Sequence, residues 1–176
     1  MRDVTPGTVV LLHAPSATAA VWADVPETLR TVGHDVVAPT VAGAPGPPYV
    51  ARAALILAAT DPASPLLLVG QGAAGPLLPA LARAQRAAHR TVGGYLFVDA
   101  SLPTADRAHG ALPEDWPDAP CGYLRTHADR TSDTTTSTAA AREQAVRESR
   151  LRGWPVHEQH PPTTIVQALT SLITTL

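Results

Sequence analysis

The sequence contains no lysine, a single cysteine and no apolar run of the roughly 18 residues that a membrane-spanning helix needs. All 13 basic residues are therefore arginines, which excludes a Schiff-base lysine, a P-loop lysine and a serine–lysine dyad. Cys121 alone can form neither an intrachain disulfide nor a multi-cysteine metal site, and the dispersed histidines show no metal-ligand spacing. We therefore expect no metal and no cofactor.

Charge is also scarce, since 16% of the 176 residues are charged and the formal net charge is −2. Nucleic acid is not expected as a partner, because the chain has no basic surplus with which to neutralise phosphates. The polar start, residues 1–7, lacks the apolar core of a signal peptide, so we expect a cytoplasmic protein without membrane contact. The length predicts a single domain over residues 1–176.

Short apolar runs alternate with segments of helical periodicity along the whole chain. The predicted strands are 8–13, 34–39, 65–70, 95–99, 122–126 and 154–157, and the predicted helices are 19–32, 51–60, 73–88, 139–151 and 164–176. Continuous apolar runs of this length are typical of strands buried on both faces. The pattern predicts an α/β fold, with a doubly wound, mainly parallel sheet of about six strands and helices on both faces.

A glycine-rich turn, Gly70-Gln71-Gly72-Ala73-Ala74-Gly75, joins the third predicted strand to a helix. It matches G-x-G-x-x-G, a pattern that lets a dinucleotide pyrophosphate approach a helix N-terminus, and Asp99 would then accept a ribose hydroxyl. It also matches the nucleophile elbow G-x-S-x-G with Gly72 in place of the serine. Both interpretations need the glycines for a tight turn.

Several further segments bear on this choice. His13-Ala14-Pro15 precedes Trp22 and the run 33–39. The segment 123–131 contains Asp129 after one predicted strand, and the segment 153–162 contains His160 after another. These motifs resemble those of the α/β-hydrolases, in particular the small esterases and hydroxynitrile lyases, and the resemblance covers nearly the whole chain. It favours the hydrolase fold over the dinucleotide fold, because two strand–helix units precede the glycine turn.

The resemblance implies a degenerate catalytic triad. Gly72 stands at the nucleophile position, Asp129 at the acid and His160 at the histidine, in the family's chain order. Glycine has no side chain with which to form an acyl-enzyme, but an aspartate–histidine pair can still act as general acid or base. Asp99, at the end of a strand, is an alternative acid.

The resemblance also implies a loop that binds substrate and the oxyanion, formed by Pro15, Ser16, Gln71 and Ala73. Pro15 stands where the family uses a backbone N–H as an oxyanion-hole donor, and proline has none. The helical cap is reduced or absent, with residues 101–120 as a candidate short flap. A second copy or a partner protein would then cover the open site.

Three functions follow as hypotheses. The first is a cofactor-free, non-hydrolytic enzyme, such as a lyase, cyclase or isomerase, that uses Asp129 and His160 on a small organic substrate. Its arginine- and alanine-rich composition suits a bacterial protein of specialised metabolism. The second is an inactive pseudo-hydrolase that binds a ligand or holds a partner. The third is residual hydrolysis or acyl transfer, with either Cys121 or a histidine-activated water as a substitute nucleophile.

Overall fold

A single parallel sheet organises the chain in the computed structural model, which describes residues 7–105, 112–132 and 135–176. Its strands are β1 (Thr8–Leu12), β2 (Val36–Val37), β3 (Leu66–Gln71), β4 (Val92–Val98), β5 (Cys121–Arg125) and β6 (Val156–Glu158). They lie in the order β2-β1-β3-β4-β5-β6, and every neighbouring pair is parallel. The prediction of a parallel sheet of about six strands is confirmed.

Helices cover both faces of the sheet. They are α1 (Val25–Thr31), α2 (Pro47–Thr60), α3 (Leu78–Ala87), α4 (His127–Thr131), α5 (Thr136–Leu151) and α6 (Ile165–Thr175). α2, α3 and α5 contribute buried side chains to one core, and α1 and α6 contribute theirs to the core on the opposite face. β1, β3 and β4 supply alternate residues to the two cores, which is why their sequences are mainly apolar along their length.

Two predicted helices are interrupted where the backbone cannot continue a regular helix. The first divides into a 3-10 helix, Ala19–Trp22, and α1, because Ala23 between them adopts a φ of +46°. The helix after β3 begins as a 3-10 helix, Gly72–Leu77, in which Pro76 has no N–H to donate. The short helix α4 was not predicted, because its five residues are too few to show a period.

The chain after β1 is fixed by His13, which is fully buried. Its Nε2 accepts a hydrogen bond from the backbone N–H of Val41 at 2.8 Å, and its Nδ1 lies 2.7 Å from the carbonyl oxygen of Ala14. The hydroxyl of Tyr49 donates to the carbonyl oxygen of His13 at 2.5 Å. This histidine therefore has a structural role, since both ring nitrogens are used to hold the following loop in place.

The described residues between β4 and β5 form neither helix nor strand, and no cap domain is seen among them. The hydroxyl of Tyr95 donates to Asp118 Oδ1 at 2.9 Å, and the ring of Trp116 lies 4.6 Å from that of Tyr95. This part of the candidate flap 101–120 is thus packed beside β4. Residues 106–111 lie outside the described residues.

Among the described helices, none combines the length and apolarity needed to cross a bilayer.

Candidate functional site

Three strand ends bring the polar residues of the site to one edge of the sheet. β3 ends at Gln71 and leads into Gly72, β4 leads into Asp99, and β5 leads into Thr126. Because the strands are parallel and adjacent, these positions lie side by side at the carboxyl edge, where α/β sheets bind their ligands. The candidate site is therefore the one that the topology favours.

The glycines of the turn after β3 have different roles. A Cβ atom on Gly75 would lie 2.6 Å from the carbonyl oxygen of Ser101, and one on Gly70 would lie 3.1 Å from the backbone of Gly75. The backbone packs so closely at this turn that a larger residue would not fit at either position, which explains why both are glycine. A Cβ on Gly72 would fit, at 3.4 Å from Ala14 Cβ, but its φ of +60° is a conformation that side-chain-bearing residues rarely adopt.

Asp99 is buried, and both of its carboxyl oxygens accept hydrogen bonds from Thr126. Its Oδ1 accepts from the backbone N–H of Thr126 at 2.7 Å, and its Oδ2 accepts from the Thr126 hydroxyl at 2.6 Å. Burial raises the pKa of Asp99, and the two bonds from Thr126 oppose that rise. Asp99 is thus a carboxyl group whose proton is held more tightly than in water, at an edge where ligands bind.

Asp129 is held by two arginines. Arg125 Nε donates to its Oδ2 at 3.3 Å, and Arg142 Nε lies 3.6 Å from its Oδ1. The three side chains are only 11–14% exposed, so the carboxylate is paired in a largely desolvated place. The backbone N–H of Asp129 donates to the Thr126 hydroxyl, which makes Thr126 the N-cap of α4.

His160 has a different partner from the one that the sequence predicts. Its Nδ1 lies 2.9 Å from Nη2 of Arg130, which also donates to the carbonyl oxygen of Gln159 at 2.6 Å. Since an arginine only donates, His160 Nδ1 is the acceptor in this contact. Within the described residues, no hydrogen bond or ion pair joins His160 to Asp129, and the imidazole is exposed. The bond that the sequence predicts between these two residues is therefore not seen in the described part of the chain.

The other predicted site residues lie around the turn after β3, and their side chains do not form a group of hydrogen-bond donors. Gln71 Oε1 accepts from the backbone N–H of Ala14 at 3.4 Å, which links the turn after β3 to the loop after β1. Ser16 and Ala73 are exposed, and Pro15 is half-buried. Pro15 has no backbone N–H, so it cannot act as a hydrogen-bond donor there.

A pocket of about 380 Å³ opens at the same edge of the sheet, between α1, α6 and the ends of β3, β4 and β5. It is lined by Val21, Trp22, Ala23, Asp24, Val25, Thr28, Gln71, Val98, Asp99, Thr126, Ala128, Thr164, Ile165 and Val166. Such a volume falls in the range of small-molecule sites, about 300–1,000 Å³. The pocket contains Asp99 and Gln71 from the predicted set, while Asp129 and His160 are not among its lining residues.

Cys121 lies at the opposite end of β5 from the site, because it is the first residue of that strand. It is buried, and burial raises the pKa of its thiol to about 12. A thiol with such a pKa supplies almost no thiolate at neutral pH. Among the described residues, no group of three or more histidines, cysteines or carboxylates is placed to hold a metal ion.

The sequence did not lead us to Thr126 or to the three arginines that contact Asp129 and His160, which are Arg125, Arg142 and Arg130. Thr126 and Asp129 form the S/T-x-x-D/E pattern of a helix start, which was a usable signal for the cap. Arg125 and Asp129 also have the i,i+4 spacing of an ion pair. Nothing in the sequence pointed to Arg142, which reaches Asp129 from a different helix.

Comparison with solved structures shows the fold. The chain has a TM-score of 0.65 with polyneuridine aldehyde esterase, at 14% identity over 88% of this chain and 91% of that one. With tomato methylketone synthase I, complexed with 2-tridecanone, the TM-score is 0.61 at 13% identity, over 97% and 96%. An extracellular α/β-hydrolase from a Paenibacillus species gives 0.58 at 15% identity, over 97% and 98%.

These likenesses establish that the chain has the α/β-hydrolase fold, as the sequence motifs predict. The alternative of a dinucleotide-binding fold is therefore not supported, and the packing of Gly70 and Gly75 accounts for the glycine pattern. A scan of the sequence against protein-family models finds no match. A search of the curated proteins also finds no match.

The raised pKa of Asp99 predicts a pH-dependent stability. The folded protein binds the Asp99 proton more tightly than the unfolded chain does, so this proton stabilises the fold. Its contribution to the free energy of unfolding is complete below the unfolded pKa of about 3.9 and is lost as the pH rises through the pKa of the folded state. We expect the free energy of unfolding of the unchanged protein to fall relative to that of Asp99→Asn as the pH rises above about 4. Urea denaturation at a series of pH values measures this difference.

Asp115→Asn is the matched control, because Asp115 is exposed. Its stability curve should stay parallel to that of the unchanged protein. If the Asp99→Asn curve also stays parallel between pH 4 and 8, burial does not hold the Asp99 proton.

Proposed function

We propose that this α/β-hydrolase-fold protein binds a small organic molecule at the carboxyl edge of its sheet and does not hydrolyse esters. The observation that carries the proposal is the pairing of Asp129 with Arg125 and Arg142 and of His160 with Arg130. A catalytic triad needs the acid to orient the imidazole and to stabilise its charged form. Here arginines hold both groups, so neither acts on the other.

The nucleophile position supports the same conclusion. Gly72 follows β3 and is the residue that the sequence motif matches to the nucleophile, and it has no side chain with which to attack a carbonyl. Loss of one oxyanion-hole donor costs about 2.7–4 kcal/mol of transition-state stabilisation, and Pro15 contributes no N–H. Three parts of the hydrolytic machinery are thus missing or engaged elsewhere.

The pocket beside Asp99 supports ligand binding. Its walls are mainly apolar, with Gln71, Asp99 and Thr126 as polar groups at one end, a combination typical of small-molecule sites. This proposal favours the pseudo-hydrolase among the three hypotheses. Cys121 does not support residual acyl chemistry, because it is buried at the far end of β5.

A second candidate function is proton transfer on the bound molecule, and Asp99 is the observation that favours it. A carboxyl group whose pKa is raised by burial, at a mainly apolar pocket, can act as a general acid or base on a bound molecule. In this form the protein is a non-hydrolytic, cofactor-free enzyme in which Asp99 replaces the predicted Asp129–His160 pair. Loss of turnover in Asp99→Asn with unchanged ligand binding would distinguish it from a binding protein.

Restoring the nucleophile alone is expected to restore no activity. Gly72→Ser supplies a hydroxyl but neither the missing oxyanion donor nor an imidazole paired with a carboxylate. We expect both the unchanged protein and Gly72→Ser to hydrolyse p-nitrophenyl acetate at the background rate, without a burst of nitrophenolate. Ala73→Ser, one residue further along, is the control. A burst or a turnover that appears in Gly72→Ser and not in Ala73→Ser would contradict the proposal.

Ligand binding itself is testable with a neutral apolar fluorophore, N-phenyl-1-naphthylamine. We expect saturable binding to the unchanged protein and a large loss in Ala128→Phe, because Ala128 lines the pocket and a phenyl group would fill part of it. Ala140→Phe is the matched control on the outer surface of α5, and it should bind as the unchanged protein does. Binding that is absent from the unchanged protein, or equal in both variants, would contradict a ligand site at this pocket.

A further inference from the structure

Arg142 is a mostly buried guanidinium group whose hydrogen bonds are unmade. Its side chain is 14% exposed, and its Nε lies 3.6 Å from Asp129 Oδ1, which is an ion-pair distance but too long for a hydrogen bond. This Nε is buried and has no hydrogen-bond partner among the described residues. A guanidinium group carries five N–H donors, so taking it out of water without acceptors is unfavourable.

The two terminal nitrogens of Arg142 also lack an acceptor in the described part of the chain, but they remain open to solvent. Among the nitrogens of this side chain, Nε alone is both fully covered and without a partner, so Nη1 and Nη2 keep accessible surface. A molecule that enters from solvent can therefore reach them. The planar fork of an arginine is best satisfied by two oxygens in one plane, as in a carboxylate.

The free end of Arg142 lies beside the turn after β3. Its Nη2 is 4.0 Å from the place that a Cβ of Gly72 would take. Apart from the adjoining residues of the turn, the other described atom within 4 Å of that place is Ala14 Cβ, at 3.4 Å. This side of Gly72 therefore has room for an oxygen atom next to the guanidinium group. The residue that the motif matches to the nucleophile thus adjoins a cation.

The charges around this place favour an anion with a single charge. Arg125 and Arg142 both pair with Asp129, so two positive charges face one negative charge and leave one positive charge over. Asp99 also interacts electrostatically with Asp129 and Arg142, and burial raises its pKa, which reduces the negative charge that it brings. A carboxylate matches one positive charge, whereas a dianion exceeds it.

We propose that Arg142 and the open side of Gly72 form an anion site for the carboxylate of a small organic acid, whose two oxygens accept hydrogen bonds from Nη1 and Nη2. The site goes beyond the proposed function and does not rest on it, because neither Arg142 nor Gly72 lines the pocket beside Asp99. At the turn where a hydrolase attacks an acyl group, this protein binds an acid group instead.

Benzoate and benzamide separate charge from shape, because the two molecules have nearly the same shape and benzoate alone is an anion. We expect benzoate to bind the unchanged protein at least about tenfold more tightly, which is the effect of hydrogen bonds between charged groups. Sulfate, a dianion, should bind more weakly than benzoate. Isothermal titration calorimetry measures these affinities. In ¹⁵N-labelled protein, the Arg142 Nε–H signal should move with benzoate and stay in place with benzamide.

Three variants locate the site. Arg142→Gln should lower the affinity for benzoate at least about tenfold, because it removes the guanidinium group. Arg147→Gln is the matched control on the same helix, because Arg147 is exposed and the change of charge is the same, and it should bind benzoate as the unchanged protein does. Ala14→Leu should also weaken binding, because the longer side chain fills the open side of Gly72. If Arg142→Gln does not fold, the two probes, the Arg142 signal and Ala14→Leu still decide the question.

Four results would overturn the proposal. They are absence of benzoate binding, equal affinity for benzoate and benzamide, equal loss in Arg142→Gln and Arg147→Gln, and tighter binding of sulfate. Displacement of N-phenyl-1-naphthylamine by benzoate would also contradict it, since the acid would then lie in the pocket. The fluorophore tests that pocket separately, so loss of its binding with benzoate still bound at Arg142 would overturn the pocket and leave the anion site.

Discussion

Parallel pairing of β1, β3 and β4 is the constraint on which the rest of the structure depends. Each of these strands is buried on both faces, so helices must cover both sides of the sheet, and each helical crossover returns the next strand in the same direction. All the strands then end at one edge. That edge receives the turn at Gly72, the carboxyl group of Asp99 and the N-cap Thr126, and the pocket forms there because the strand ends and two helices leave a space between them.

Arginine side chains pair with both Asp129 and His160 near the carboxyl edge of the sheet. Asp129 is mostly withdrawn from water, and a carboxylate in such a place needs a charged or hydrogen-bonding partner. Arg125 and Arg142 fulfil that need, whereas a hydrolase would use the carboxylate to orient its histidine. The same residue type, in Arg130, occupies the ring nitrogen of His160 that an acid would otherwise hold.

Much of the fold could be predicted from the sequence, because two-sided burial leaves a continuous apolar pattern that local reasoning detects. The strand order and the helical breaks could not, since the break at Ala23 depends on a positive φ that no sequence rule assigns to alanine. The strand-end position of Asp99 was also predictable. Its partner Thr126 was not recognised, because the bond joins residues 27 positions apart.

The least predictable part of the site is the identity of side-chain partners across elements. The sequence placed Asp129 and His160 in the family's order, and order along the chain does not fix which charged groups meet in space. Arg142 lies on α5 and pairs with Asp129. Only the three-dimensional structure shows that this carboxylate pairs with arginine and not with histidine.

The ring ¹⁵N chemical shifts of His160, measured by NMR in two variants, test the central claim most directly. If arginines have separated the acid from the histidine, Arg130→Gln will change the Nδ1 shift of His160, and Asp129→Asn will leave both ring nitrogens as they are in the unchanged protein. The opposite pattern, a His160 signal that responds to Asp129→Asn and not to Arg130→Gln, would contradict the account and restore the pair as a functional unit.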